Sequence, residues 1–170
     1  ANQRAADASY PYFMPGSYEV YRAITINRKL AAMNNITAKD MQLLQNNNYN
    51  VFAEDARPIL LKYAIKEQLS AEEQKYLSLV ASWNLMNDAT EKAPTCFTAW
   101  WDSLHAEVFN DDLVQDKMPL AKPEKFVLLE ALQRDSSFKF IDNINTPNKE
   151  DLYQMVTVAL KKAAKKLASL

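Results

Sequence analysis

Glycine occurs once in 170 residues, at Gly16. Average usage would supply about 7%. Tight hairpins, phosphate-cradling loops and dinucleotide folds need glycine wherever φ is positive or a ligand approaches the backbone. One glycine cannot serve those positions, so a P-loop, a Rossmann fingerprint and a hairpin-rich β fold are excluded. What remains is a chain of helices joined by loops. With 48% apolar and 24% charged residues the chain can fold around a core, and a chain this long buries roughly 70% of its unfolded surface. That argues for one domain or part of a larger one.

Other features remove whole functional classes. Net charge is −1, which gives no field for nucleic acid. No apolar run approaches the roughly 18 residues of a membrane span. Cys96 is the only cysteine and His105 the only histidine. No internal disulfide can form, and a zinc site would have to lean on carboxylates.

Local signals place the helices. Tyr10-Pro11 and Met14-Pro15-Gly16 mark residues 1–16 as irregular. Ser17 can cap a helix from Tyr18 to Met33, with Ala23, Ile26, Leu30 and Met33 as its apolar stripe. Thr37 caps the next, which carries Met41 and Leu44, and Asn46-Asn47-Asn48 either interrupts that helix or lies on its wet face. Pro58 suits a first helical turn or a kink ahead of Ile59, Leu60 and Tyr63. Ser70-Ala71-Glu72-Glu73 is a capping box opening a helix that buries Tyr76, Leu77, Val80, Ala81 and Trp83. After Pro94-Thr95, Phe97, Trp100, Trp101, Leu104 and Val108 recur at helical spacing. Pro123 starts a helix carrying Phe126, Val127, Leu129 and Leu132. Thr146-Pro147 reads as a cap followed by proline at the first helical position, ahead of Leu152, Met155, Val156, Ala159, Ala163 and Leu167. The expectation is an all-α, irregular multi-helix domain of about six to eight helices, with any extended segment confined to residues 1–16.

Several groups invite a chemical reading, and each has a plainer one. His105 could be a general base, but no serine or cysteine stands at a diagnostic local spacing. Cys96 could be a nucleophile, yet beside Phe97 it reads as packing. Asp111, Asp112 and Asp116 could ligate calcium, but the spacing departs from an EF-hand loop, which also needs a central glycine. Lys161, Lys162, Lys165 and Lys166 could bind phosphates, but cations in the last turns of a helix complement its dipole. Trp100 and Trp101 could stack a ligand, although their spacing with Phe97 and Leu104 favours a core role. Residue by residue, the chain has no self-contained catalytic set.

Taken in order, a series of short motifs resembles the β chain of the penicillin acylase family of N-terminal-nucleophile amide hydrolases. Ala1-Asn2 corresponds to the pair that ends a strand, and Tyr10-Pro11 follows. Tyr21-Arg22-Ala23 opens a helix that continues through Ile26 and Leu30. Thr37, Asp40, Met41, Leu44 and Gln45 match the next start, and Ala53, Pro58, Ile59 and Leu60 the segment after it. Trp83-Asn84, Phe97 and Trp100 extend the likeness to about residue 110. There are departures. Asn47 stands where the family has aspartate, Thr25 where it has a second arginine, and Asn84 where it has the aspartate of Trp-Asp. Tyr12, Phe13 and Met14 occupy the place of a calcium-binding aspartate in some members.

The resemblance implies an amidase or acylase that cleaves β-lactams, acyl-homoserine lactones or similar acyl amides. Asn2 would be the side-chain donor of the oxyanion hole and Arg22 a supporting residue behind it. The nucleophile would be a serine at the first residue of the family's β chain, upstream of Ala1. These residues would therefore be inactive alone, with 1–16 an irregular piece of the catalytic core and 17–170 the helical insertion. The partners implied are the α chain, the β-chain core and a small acyl-amide substrate. No cofactor or metal ligand is expected within these residues, although the parent could hold a calcium ion. The location implied is periplasmic or secreted. Two rivals stand beside this reading: a free-standing helical interaction module, and a structural insertion in a hydrolase that has lost activity.

Overall fold

In the computed structural model, residues 9–12, 19–115, 118–119 and 121–169 are described. Ala1, Asn2, Ser17 and Asp116, all singled out above, lie outside them, as does most of the segment 1–16. The fold is all-α, as expected. Seven α-helices are present among the described residues: α1 (Tyr21–Ala31), α2 (Ala38–Gln45), α3 (Val51–Tyr63), α4 (Ala71–Ser82), α5 (Ala93–Phe109), α6 (Lys125–Arg134) and α7 (Leu152–Ala168). A 3-10 turn at Lys66–Gln68 links α3 to α4. One departure is a minimal antiparallel pair, β1 (Val114–Gln115) and β2 (Met118–Pro119), in register Val114 opposite Pro119. The sequence confines extended structure to residues 1–16, and this pair lies beyond them.

The core is organised around α5. Its Phe97, Trp100, Trp101, Leu104 and Val108 are all buried, so both tryptophans are core residues rather than a stacking platform. Fully burying an apolar side chain of this size contributes about 1.5–3 kcal/mol. A stripe of five therefore outweighs the modest helix propensity of its aromatic members. The most extensive helix pairing is α5 on α7, where Met155, Val156, Ala159, Leu160 and Ala163 are buried. Trp100 Nε1 donates across this interface to the Val156 carbonyl at 3.0 Å, pairing the polar handle of a fully buried ring.

One buried polar side chain on α7 ties that helix to the segment after α3. Thr157 is 1% exposed. Its Oγ1 accepts from Ile65 N at 2.9 Å and donates to the Tyr153 carbonyl at 2.7 Å. It thereby supplies an acceptor to the turn after α3, outside any helix ladder.

Four of the seven described helices begin at a side-chain cap, and α5 carries Pro94 in its first turn. Capping boxes form at Thr37 with Asp40 and at Ser70 with Glu73. The third helix, however, begins at Val51, capped by Asn50 Oδ1 accepting from Ala53 N at 2.8 Å. Pro58 lies inside that helix, where it removes the bond to the Glu54 carbonyl. The last helix likewise begins at Leu152, capped by Asp151 in a box with Gln154. Thr146-Pro147 stays in the preceding loop, where the Thr146 hydroxyl donates to Glu150 at 2.7 Å.

Smaller corrections concern faces. Ala81 and Val127 are exposed, whereas Leu128 is buried. Only Ala23 is fully buried on α1, while Ile26 and Leu30, and Met33 just past its end, are half-buried. α1 packs chiefly on α3, so one neighbour cannot cover its whole stripe.

Candidate functional site

Asn2 lies outside the described residues, so the site is approached from Arg22. Arg22 is exposed in the first turn of α1. It lines a cleft of about 340 Å³ between α1, the Asn47–Asn50 loop and the start of α3. Among the described residues it makes no ion pair.

The opposite wall is rich in asparagine because the loop is pinned to a distant segment. Tyr49 and Met86 form an antiparallel bridge. Asn50 N donates to the Leu85 carbonyl at 2.8 Å, and Asn87 N donates to the Asn48 carbonyl at 3.1 Å. Asn48 Nδ2 reaches Asp88 at 2.7 Å, and Asn47 Oδ1 accepts from Tyr49 N at 3.3 Å. Leu85 holds φ at 67°, an unusual value for a branched residue, and is nonetheless buried. Trp83 Nε1 donating to the Met86 carbonyl at 2.8 Å and Arg57 donating to the Trp83 carbonyl brace the same turn. The asparagines thus spend much of their hydrogen-bonding capacity within the bridge and its flanks, on Leu85, Asp88, Tyr49, Ala53 and one another. The Arg22 guanidinium, with its five donors, faces this wall across the cleft and forms no ion pair with any described residue.

The tyrosines beside Arg22 are held neutral. Burial, reinforced by Asp55, Glu19 and Glu130, pushes the Tyr21 phenol up to about 12. Burial and the neighbouring Glu54 also raise Tyr49. The Tyr21 ring stands edge-on to Phe52, with centroids 5.3 Å apart. Further along α1, Arg28 pairs with Glu54 at 2.8 Å.

The other reactive side chains do not assemble. His105 Nε2 lies 2.7 Å from the Pro123 carbonyl. A carbonyl only accepts, so that nitrogen carries the proton. Cys96 is buried, and burial raises its thiol. The two residues lie on one helix, about 13 Å apart along its axis at the α-helical rise per residue, too far to act as nucleophile and base. Asp111 accepts from Ile144 N at 2.8 Å, while burial and then Asp111 raise Asp112. Among the described residues no three His, Cys, Asp or Glu side chains gather as a metal site. Lys162 pairs with Glu107 at 2.6 Å.

Sequence reasoning had not marked Asn50, Leu85, Asn87 or Glu54. An Asn-x-x spacing to Ala53 was the one local sign, readable as an N-cap. The bridge to residues 85–87 has no sequence signature.

The chain matches the penicillin amidase family over residues 1–170, its full length, and belongs to that family. It is therefore of the acylase-like hydrolase class. No individual curated protein matches the sequence. No helix among the described residues is long and apolar enough to cross a membrane.

Proposed function

We propose that this chain is the helical part of a penicillin acylase-like amide hydrolase acting on β-lactams, acyl-homoserine lactones or similar acyl amides. The family match along the full length carries this reading. In the proposed enzyme, Asn2 donates a side-chain N–H to the carbonyl oxygen of the scissile amide. Negative charge builds on that oxygen in the tetrahedral intermediate, so a fixed neutral donor favours the transition state over the ground state. The nucleophile is a serine supplied by a segment outside these residues, and its own α-amino group serves as base. Arg22 orients the polar groups around Asn2. The guanidinium's place at the cleft, with no ion pair to any described residue, supports that role, because a planar fork can fix two partners at once.

The α chain and the β-chain core complete the site, and the enzyme works in the periplasm or outside the cell. No calcium ligand is assigned to these residues, and a calcium ion in the parent enzyme would be held by other segments.

The test uses the full-length processed enzyme and a chromogenic acyl nitroanilide. Asn2→Ala should lower kcat about 10²- to 10³-fold, the usual cost of one oxyanion donor, with thermal stability unchanged. Arg22→Ala should lower activity or maturation. Hydrolysis at the unmutated rate by both variants refutes the assignment. Turnover that survives Asn2→Ala but depends on His105 or Cys96 would place the chemistry elsewhere.

A further inference from the structure

We infer that Tyr21 is a positioning residue for Arg22: its ring, seated on Phe52, fixes the first turn of α1 and so the direction from which the guanidinium enters the cleft. This rests on the role proposed for Arg22. The geometry behind it is specific. Arg22 forms no ion pair with any described residue and enters the cleft from the first turn of α1. That helix packs chiefly on α3 and starts at Val20 without a side-chain cap. The neighbouring Tyr21 is half-buried and edge-on to Phe52. Phe52 in turn stands edge-on to Trp101, with centroids 5.2 Å apart at 88°, and lies 6.1 Å from Phe97. A chain of rings thus runs from the residue beside Arg22 into the buried face of α5. The Arg28–Glu54 pair fastens the far end of α1, but Arg28 is 56% exposed, and exposed pairs hold weakly. The aromatic seat is the firmer of the two.

The ring matters here and the hydroxyl does not. Tyr21→Phe keeps the edge-on contact, whereas Tyr21→Leu loses it. Aromatic pairs contribute beyond their buried area by an amount equivalent to a two- to tenfold change in population. In the full-length processed enzyme, Tyr21→Leu should therefore lower kcat about two- to tenfold on an acyl nitroanilide, with KM little changed. Tyr21→Phe should stay within about twofold of the unmutated rate.

The decisive measurement is the cycle with Arg22→Ala. In that background Tyr21→Leu should cost nothing further, because the residue being positioned is gone. A loss of the same size in both backgrounds would show that Tyr21 merely supports the fold. An equal loss for Tyr21→Phe would put the effect in the hydroxyl, and an unimpaired Tyr21→Leu enzyme would remove it altogether. Each of those results overturns the inference while leaving Arg22 in place. An Arg22→Ala enzyme at full rate overturns the Arg22 assignment itself, and the inference with it. Should Tyr21→Leu fail to fold, Phe52→Leu removes the same contact from the other side and is read by the same cycle.

Discussion

Replacing Thr157 by valine should destabilise the protein although it makes a buried side chain more apolar. The two side chains have nearly the same shape, so no cavity opens. The added methyl group favours the valine by about 0.8 kcal/mol. Against this, the Ile65 N–H, now 2.9 Å from Oγ1, loses its acceptor. An unsatisfied buried donor costs about 1–3 kcal/mol. The difference is a net loss of roughly 1 kcal/mol, or a fall of about 2–4 °C in melting temperature for a chain of this size. Thr157→Ser loses a methyl group but keeps the oxygen, so melting alone does not separate the two variants. Amide exchange at Ile65 does. That amide should remain protected in Thr157→Ser and exchange fast in Thr157→Val, while amides along α5 change little. Melting can be followed by helical circular dichroism. A valine variant as stable as the unmutated protein, with the Ile65 amide still protected, would refute the reasoning.

Two further outcomes follow from the titrating groups. Bonds from the Thr146 hydroxyl, and then from Asn143 N, hold the Glu150 carboxyl below the ordinary glutamate range. Its contribution is therefore present above the unfolded pKa and lost as pH falls through the lower folded value. The loop from Asn143 to Glu150 should loosen only in that acid window, and Thr146→Val should move the carboxyl midpoint upward in an NMR titration. Burial raises the Cys96 thiol, which leaves less thiolate than in a free cysteine. Alkylation near pH 8 should be slow in the folded protein and fast in urea, and equal rates would contradict its burial.

The parts of the fold that could be read from the sequence are those decided by neighbours. Thr37-x-x-Asp40 and Ser70-x-x-Glu73 are complete within one turn, and the α5 stripe needs only its own periodicity. The differences lie where a proline cue competes with a stronger cap or tie elsewhere. Pro58 suits a first turn or a kink, and Pro147 a first turn; Pro58 lies inside α3. The start of α3 is instead set by Asn50, whose backbone is tied to Leu85, and the loop around Thr146 is tied to Glu150. Leu128 is buried because α6 packs against both α3 and α5, which a single apolar stripe does not foresee. At the candidate site, Arg22 was legible only through the family resemblance. The asparagine wall was not legible at all, because its two segments meet across α3 and α4.

The burial of Trp83, Trp100 and Trp101 has an optical consequence. Phe97 stands between two of them, with centroids 5.6 Å from Trp83 and 6.5 Å from Trp101, and all three are 5% exposed or less. Their emission is one signal from one dry interior, set to the blue and shifting together when α5 is laid open. A molecule entering the cleft meets Tyr21, Tyr49 and Phe52 first. The tryptophan spectrum is therefore a gauge of whether the protein is folded, and a silent spectrum on adding substrate says nothing against binding.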